Sequence, residues 1–577
     1  MSGCALKNMV KLAADQDLKV DPNPLELHGG EVPYNISITL PPKMLPSGKV
    51  YTVKNFYQYG DKEIEVGEVE FKADDFPSSS STTSRKSADF TINFTEDMTP
   101  GKLMVQGVAK DPKSGKEATT AKMEVAIGVI TTSNAVKDSY VTAVANHGYN
   151  DQEELEPTNI DFYFPQGSSV LTASLSTDGE SNRDKQKNLG AFIADKNVTR
   201  TVTITGTHSP EGSETINTDL SADRASRIEK YYRAQMKKYD YKGMADSIKF
   251  IIKPVVQDWT AFNNALREYE GVDEDTKNRF RKVVYGTGSF EDKEIALREI
   301  DGYKMVFDEL YPTLRTAKTE ILTVKVKKAP EAIAVLAKKI VAGEEEGDAL
   351  SNEEFLYAAT LTPSLDEKEA IYMAATKRDG SWVAHNNLAA VYLEKAKTDA
   401  SNRSKLVEDA LAQLEIAANK SEAAEVQANL GSAYMMQGEY DKAYEALGNA
   451  STANNELKGD INSAKASIEI RNAKYDDAKA SLASAGSKAE ANFNRGLVSL
   501  LTAEYPAAQE NFGKATDSDY SAEAYYLKAV TAARTKNVQE IVSNLKEAVS
   551  KDSSLKDRAL ADLEFVNFAD GVAQALR

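Results

Sequence analysis

The stretch GTHSPEGSETINTDLSADRA, residues 206–225, decides the fold of the middle of the chain. Alternating apolar residues in Thr201–Thr205 predict a strand immediately before it, and a helical pattern over Ala222–Lys237 continues from its end. Glycine and proline between the two patterns are typical of a turn. The stretch therefore predicts a tight corner at which a strand passes into a helix.

The regions on either side of this corner continue the alternation of strands and helices. Apolar patterns predict four strands and two helices, over Ile160–Phe164, Arg183–Ala194, Thr201–Thr205, Ala222–Lys237, Ile248–Val256 and Ile321–Val326. Between about residues 258 and 316 the sequence predicts further helices, inserted before the last strand. Together these patterns predict an α+β domain over residues 135–329 with a helical insertion.

The corner resembles the peptidoglycan-binding signature of OmpA-like domains. The matching positions are Gly206, Gly212, Asn217, Leu220, Ser221, Arg224 and Ala225, and Ile160–Phe164 is similar to the opening strand of that family. The Ser-Pro-Glu-Gly sequence at 209–212, with Asp258-Trp259 and residues 311–315 downstream, is similar to envelope proteins of Bacteroidota-type bacteria. The resemblance implies an OmpA-like fold and a place in the envelope of a Gram-negative cell.

The same resemblance implies a peptidoglycan site. In the family an aspartate and an arginine hold the charged groups of the diamino acid in the peptide stem. Arg224 stands at the arginine position, whereas Ser209 replaces the aspartate, and a hydroxyl cannot neutralise an ammonium. The candidate peptidoglycan-binding residues are Arg224, Asn217 and Ser209. In the alternative interpretation, Asn217 and Arg224 only cap and staple the corner.

Residues 330–577 carry an internal repeat of helical character. Alanines that close successive helix pairs recur at intervals of 33, 35, 30 and 33 residues, at Ala417, Ala450, Ala485, Ala515 and Ala548. This period is similar to the 34 residues of tetratricopeptide repeats, which stack into a solenoid with a wall for peptides or partner domains. The residues expected to pack the repeats are Gly431, Tyr434, Tyr440, Ala443, Ala450, Gly496, Ala508 and Ala515. A plain scaffold without a bound partner remains the alternative.

The first part of the chain has the pattern of an antiparallel β protein. Alternating stretches between residues 26 and 134, separated by proline, glycine and serine, predict a small immunoglobulin-like β-sandwich. Cys4 is the one cysteine of the chain, and Met1-Ser2-Gly3-Cys4 resembles the end of a bacterial lipobox. We therefore expect lipidation at Cys4 and a polar tether over residues 1–25, the remaining interpretation being a chance cysteine.

Composition excludes several classes of function. The net charge of −18, without a basic stripe, disfavours a nucleic-acid partner. The four histidines, His28, His147, His208 and His385, lie far apart in sequence, and no metal motif, phosphate loop or nucleophile motif is present. We therefore predict a non-enzyme that needs no cofactor and no metal.

These features favour a lipid-anchored outer-membrane scaffold with three interaction domains. Its expected partners are other outer-membrane proteins and lipoproteins in a hetero-oligomeric complex, with outer-membrane protein assembly or secretion as the setting. The alternative is a peptidoglycan-binding tether between the outer membrane and the cell wall. Whether the protein faces the periplasm or the cell surface stays open, although residues 5–8 lack the acidic run that often directs such lipoproteins outward.

Overall fold

The chain divides into two compact units. The computed structural model describes residues 2–239, 243–255, 259–450 and 453–577. The first unit combines Met1–Tyr149 with Pro330–Arg577, and the second unit is Asn150–Ala329. The predicted boundary at residue 135 is therefore wrong, because residues 135–149 pack with the C-terminal helices.

The N-terminal part of the first unit is built from β-strands around one core. Its strands are β1 (Asp17–Asp21), β2 (Leu25–Glu26), β3 (Glu31–Leu40), β4 (Val50–Tyr59), β5 (Lys62–Lys72), β6 (Ser84–Asn93), β7 (Gly101–Lys110), β8 (Glu117–Thr119), β9 (Met123–Ile127) and β10 (Val129–Ile130). One sheet has the order β1-β3-β6 and the other β5-β4-β7-β8, with β9 also on β7 and β10 parallel to β2. Alternate residues of β3 and β4, such as Ile36, Ile38, Tyr51 and Val53, meet in a shared core.

The predicted tether over residues 1–25 is wrong. Helix α1 (Ser2–Leu12) packs with the strands, and its Leu6 and Met9 are 2% and 0% exposed. β1 then pairs antiparallel with β3 along its whole length. The segment folds because its apolar residues recur at helical spacing and are buried in the core of the strands.

The second unit is a four-stranded sheet with helices, of mixed α/β type. Its elements are β11 (Leu155–Tyr163), α2 (Asn182–Ala194), β12 (Thr199–Gly206), α3 (Glu214–Lys238), β13 (Lys249–Pro254), α4 (Trp259–Glu268), α5 (Glu274–Val284), α6 (Phe290–Arg298), α7 (Tyr303–Met305), α8 (Tyr311–Leu314) and β14 (Thr316–Val324). The strand order is β11-β14-β12-β13, with only β12 and β13 parallel. Helices α2 and α3 cover the sheet through residues such as Leu189, Ile193, Ile228 and Tyr232.

Helix α3 begins eight residues before the predicted start at Ala222. Ser213 caps it, because the serine side chain accepts a hydrogen bond from the amide of Ile216. Asn217, Ser221 and Arg224 therefore all lie on one helix directly after the turn. The inserted helices α4–α8 form a core of their own that includes Phe262, Phe280 and Tyr311. Val256 and Asp258, parts of two predicted features, lie outside the described residues.

The C-terminal part of the first unit is a run of paired helices. They are α9 (Pro330–Ala342), α10 (Asn352–Ala358), α11 (Leu365–Arg378), α12 (Trp382–Thr398), α13 (Arg403–Ala418), α14 (Ala424–Gln437), α15 (Tyr440–Asn449), α16 (Asn455–Arg471), α17 (Tyr475–Ser484), α18 (Ala489–Leu501), α19 (Tyr505–Ala515), α20 (Ser521–Arg534), α21 (Val538–Lys551), α22 (Leu555–Ala561) and α23 (Ala569–Ala575). Five pairs run from α12/α13 to α20/α21, and we call them the helix array.

The broad prediction from the sequence is confirmed: a β region, a mixed α/β middle and a C-terminal run of paired helices follow one another along the chain. Along the described ranges, no helix combines the length and the apolar character that a membrane crossing requires.

Candidate functional site in the groove of the helix array

The segment from Thr132 to Tyr149 lies along the helix array. After a single turn over Thr132–Ala135 it has no helix or strand of its own. Its contacts follow the array in reverse order, because Lys137 bonds to α18, Val141 to α14 and Ala145 to α12. The first helices of successive pairs thus line a groove that holds this extended segment, which we call the linker segment.

Asparagine side chains bind the backbone of the linker segment at its centre. The Ala143 N–H donates to Asn429 Oδ1 at 2.7 Å, and Asn429 Nδ2 and Asn386 Nδ2 donate to Ala143 O at 2.8 and 3.0 Å. Asn387 likewise accepts from the Ala145 N–H at 2.7 Å and donates to Ala145 O at 3.0 Å. Each of these asparagines is 0% exposed. Buried backbone groups of the segment are therefore paired as they would be in a sheet.

The same arrangement recurs further along the groove. Asn494 accepts from the Lys137 N–H at 2.9 Å and donates to Lys137 O at 2.7 Å. Between these sites the Val141 N–H donates to Ser432 Oγ at 2.6 Å. We call Asn386, Asn387, Asn429 and Asn494 the asparagine ladder.

Side-chain burial alternates along the linker segment, because the odd-numbered positions from 139 to 145 are buried and the positions between them are partly or fully exposed. Ser139, Val141, Ala143 and Ala145 are buried, whereas Val144 is 56% exposed. This period of two is that of an extended chain with one buried face. The buried positions hold small residues, so the groove admits the backbone closely enough for the asparagines to reach it.

Ion pairs flank the backbone contacts. Arg471 donates from Nη2 and Nε to Asp138 Oδ1 at 2.9 and 3.1 Å, and Lys137 pairs with Glu523. Thr142 donates to Glu394, which also pairs with Lys397. Burial raises the pKa of Glu394, but these hydrogen bonds and the Lys397 charge lower it more, so the net shift of its pKa is downward.

A charged junction closes the groove at the start of the segment. Thr132 donates to Glu564 Oε1 at 2.6 Å, and Arg534 donates to Glu564 and to Glu26 of β2. Burial raises the pKa of Glu26, yet its hydrogen bond to His28 and the Arg534 charge bring that pKa below its ordinary value. The junction therefore joins the β region, the linker segment and the array by charge as well as by packing.

The residues predicted to pack the repeats lie between paired helices. A Cβ added to Gly431 would meet Leu447 Cγ at 2.5 Å, and one added to Gly496 would meet Phe512 Cδ1 at 2.6 Å. Ala443, Ala508 and Ala515 are 0% exposed and Ala450 is 7% exposed. Tyr434 and Tyr440 pack against the cores beside them. These small residues let each helix approach its partner closely.

The three candidate peptidoglycan-binding residues meet at the turn after β12, and all are buried. Arg224 is 1% exposed and donates to the carbonyls of Thr207, Ser168 and Pro165 at 2.8, 3.0 and 3.3 Å. Asn217 donates to the Glu211 carbonyl at 2.9 Å. Burial lowers the pKa of Arg224 to about 10. These hydrogen bonds hold the turn after β12 against the neighbouring backbone.

A second arginine, Arg315, occupies the other side of that turn. Its Nε donates to Ser209 Oγ and to Glu211 Oε1, each at 3.0 Å, and its Nη2 lies 2.9 Å from Glu211 Oε1. Glu211 therefore pairs with Arg315 rather than with Arg224. Arg315 lies in residues 311–315, which resemble the envelope proteins named above. The sequence does not indicate that Arg315 contacts Ser209 and Glu211, because more than 100 residues separate it from them.

Cys4 and His208 were also singled out by the sequence. Cys4 is exposed on α1. Within the described parts of the chain, no group of three or more histidine, cysteine, aspartate or glutamate side chains is placed to hold a metal ion. His208 is buried, and its Nδ1 lies 2.9 Å from the Ser209 carbonyl.

Sequence reasoning missed the asparagine ladder. Its signal is present, because Asn386, Asn387, Asn429 and Asn494 stand among buried alanines and leucines of first helices. Buried polar side chains require partners, so amides at such positions indicate a bound polar chain. The partner segment itself gave no signal, since it lies more than 240 residues earlier.

A solved structure is similar to part of the chain. No family model matches the chain, and no curated protein matches it. The C-terminal helical region resembles a solved structure titled "Functional Characterization of Pseudomonas Aeruginosa pilF", with 18% sequence identity and a TM-score of 0.29. The match covers 42% of this chain and 99% of that one.

Proposed function

We propose that this protein is a lipid-anchored scaffold subunit of the outer membrane that binds other envelope proteins in a multi-subunit complex. The observation that carries the proposal is the helix array, whose groove holds an extended polypeptide through backbone-directed side chains. A surface of this kind recognises extended protein chains. Outer-membrane protein assembly or secretion is the setting that we propose for the complex.

The family assignments of the sequence support this proposal. Five helix pairs with a period near 34 residues fit tetratricopeptide repeats, and the two packed sheets fit an immunoglobulin-like sandwich. The strand-helix-strand-helix-strand order of the second unit, closed by β14, fits an OmpA-like domain. Stacked helical repeats present extended concave surfaces that bind other proteins.

A lipid anchor at Cys4 is compatible with the local structure. Cys4 is exposed, while Leu6 and Met9 of the same helix are buried in the β region. Acyl chains at Cys4 would therefore hold the β region close to the membrane surface, without a flexible spacer. Replacement by Cys4→Ser is expected to move the protein from the membrane fraction to the soluble fraction, and an unchanged distribution would contradict the anchor.

The peptidoglycan tether is the alternative, and the geometry favours the scaffold over it. Every guanidinium nitrogen of Arg224 donates to a backbone carbonyl, and Glu211 is engaged by Arg315. A peptide stem would have to displace these buried contacts. Sedimentation with purified sacculi tests the alternative, and retention on the sacculi would favour the tether.

The scaffold is tested by purification of the full chain from envelope membranes solubilised in mild detergent. We expect stable outer-membrane partners in stoichiometric amounts, recovered through a tag at the C-terminal end of the chain. A chain that purifies as a monomer without partners under these conditions would contradict the scaffold. The absence of hydrolase or transferase activity is expected throughout, because we propose a non-enzyme.

A further inference from the structure

The groove recognises the linker segment mainly through backbone atoms. Lys137, Ala143 and Ala145 each have both the N–H and the carbonyl held by asparagine side chains. An amide that donates and accepts in this way pairs with any extended peptide group, whatever its side chain. The ladder therefore sets the conformation of the bound chain more than its sequence.

Side chains add a limited requirement. The positions of Val141, Ala143 and Ala145 face the groove and accept small apolar residues, because they are 2%, 7% and 2% exposed. Lys137 faces Glu523, and Asp138 faces Arg471. A chain that fits the groove thus has a basic and an acidic residue followed by small apolar residues at alternate positions.

The linker segment is held in place covalently as well. β10 ends at Ile130, immediately before it, and the second unit begins at Asn150, immediately after it. A tethered ligand has an effective concentration on the order of millimolar. The segment therefore excludes a free polypeptide of similar intrinsic affinity.

We propose that the groove is a binding site for an extended segment of a partner protein, and that residues 136–146 are a built-in ligand that occupies it. This inference deepens the proposed scaffold function, since it names the docking site and the chemistry of the partner. The partner segment has the pattern of residues 137–145, and it binds when the linker segment is displaced.

The first experiment uses the full chain and a fluorescent synthetic peptide of residues 135–149. In the variant Val141→Asp with Ala143→Asp, the carboxylates would be buried in the groove, so the linker segment should leave it while the asparagine ladder stays intact. We expect this variant to bind the peptide at least about 50-fold more tightly than the wild-type chain does. Adding Asn386→Ala and Asn429→Ala should weaken that binding by about tenfold or more.

The matched control is Val144→Asp, which places the same charge on the exposed face of the same segment. It should bind the peptide as weakly as the wild type. A folded double variant that fails to bind the peptide would overturn the proposal, and so would binding that is insensitive to the asparagines.

A second experiment needs no destabilising substitution. Protease sites inserted after Asn134 and Asn150, both exposed, allow the linker segment to be cut free within the folded chain. We expect the cut segment to remain bound and then to exchange with the labelled peptide. Absence of exchange, or collapse of the array once the segment is cut, identifies a permanent structural strut and overturns the proposal.

These experiments are independent of the scaffold proposal. If envelope partners are recovered but the peptide does not exchange, the scaffold proposal stands and the partners bind at a surface other than the groove. Peptide exchange without recovery of partners would retain the groove as a binding site and reject the scaffold.

Discussion

Asn429 makes the most demanding set of contacts in the groove. It accepts from the Ala143 N–H, donates to the Ala143 carbonyl, and donates to Asn386 Oδ1 at 3.0 Å. All of these atoms are buried, so none of them regains water as a partner if the side chain is removed. The Asn429 side chain therefore contributes more contacts to the ladder at Ala143 than its neighbours do.

Asn429→Ala is expected to destabilise the first unit by about 2 kcal/mol, because it leaves the Ala143 N–H buried without a partner. The measurement is urea unfolding followed by helical circular dichroism. Asn455→Ala, at an exposed position on the next first helix, is the control and should change stability by less than about 0.5 kcal/mol. Equal effects of the two substitutions would contradict the ladder.

At the scale of elements, close approach of paired helices depends on single glycines. Gly496→Ala would place a Cβ 2.6 Å from Phe512 Cδ1, and it is expected to destabilise the array by about 1–3 kcal/mol. Gly513→Ala on the partner helix meets nothing within 4 Å and should stabilise it by about 0.5–1 kcal/mol. Denaturant midpoints of the two variants give the comparison, and two shifts of the same sign would refute this packing.

The contact between α12 and the linker segment is expected to weaken in acid. The pKa of Glu394 is lower in the folded protein than its ordinary value, so its stabilising effect is complete above about pH 4.3 and is lost as the pH falls through the folded pKa. Glu394→Gln should flatten the decline of stability with falling pH. Glu422→Gln, which replaces an exposed carboxylate, should leave that decline unchanged. Unfolding midpoints from about pH 3 to pH 7 test this.

The local pattern of apolar residues was enough to predict whether most segments form strands or helices. Most elements that were missed are buried against residues distant in sequence, which the local pattern does not reveal. The repeat of alanines located the second helices of the array, since Ala417, Ala515 and Ala548 lie near the ends of α13, α19 and α21. Strand β4 carries Asn55 at a buried core position, which interrupts the apolar alternation of its sequence. Helix α1 was missed because its residues were assigned to a polar tether, although Leu6 and Met9 stand at helical spacing.

The candidate site was predictable only in part, for the same reason. The residues of the turn after β12 were found from spacing, but their internal hydrogen bonds depend on Ser168 and Arg315, which are distant in sequence. Because Ser213 caps α3, Asn217 lies in the helix, whereas the sequence predicted that it lies in the turn. For the asparagine ladder, the sequence of the helix array shows asparagines at buried positions. The linker segment that they bind lies in another part of the chain and shows no matching pattern.

On the scale of the whole molecule, the β region and the helix array form one unit. His28 Nδ1 lies 2.7 Å from Tyr475 Oη, Arg534 pairs with Glu26, and Gly29 packs against Ala473. The linker segment then runs along the array from one end of this junction. Unfolding either part exposes the other, so the two are expected to unfold together.

The two units should respond separately to substitution. Arg224→Ala leaves three buried carbonyls without their donor, and we expect it to lower the melting temperature of the second unit alone. Differential scanning calorimetry measures both transitions. Arg227→Ala, exposed one turn along α3, should leave both unchanged. A shift of the first unit's transition by Arg224→Ala would contradict the division.

Hydrogen exchange of the linker segment tests the central claim most directly. We expect the amides of Lys137, Val141, Ala143 and Ala145 to exchange slowly in the intact chain, and the amide of the exposed Val144 to exchange quickly. Asn386→Ala combined with Asn429→Ala should remove the protection at Ala143 without changing that of the strands. Uniformly fast exchange from 136 to 146 in the wild-type chain would contradict the account.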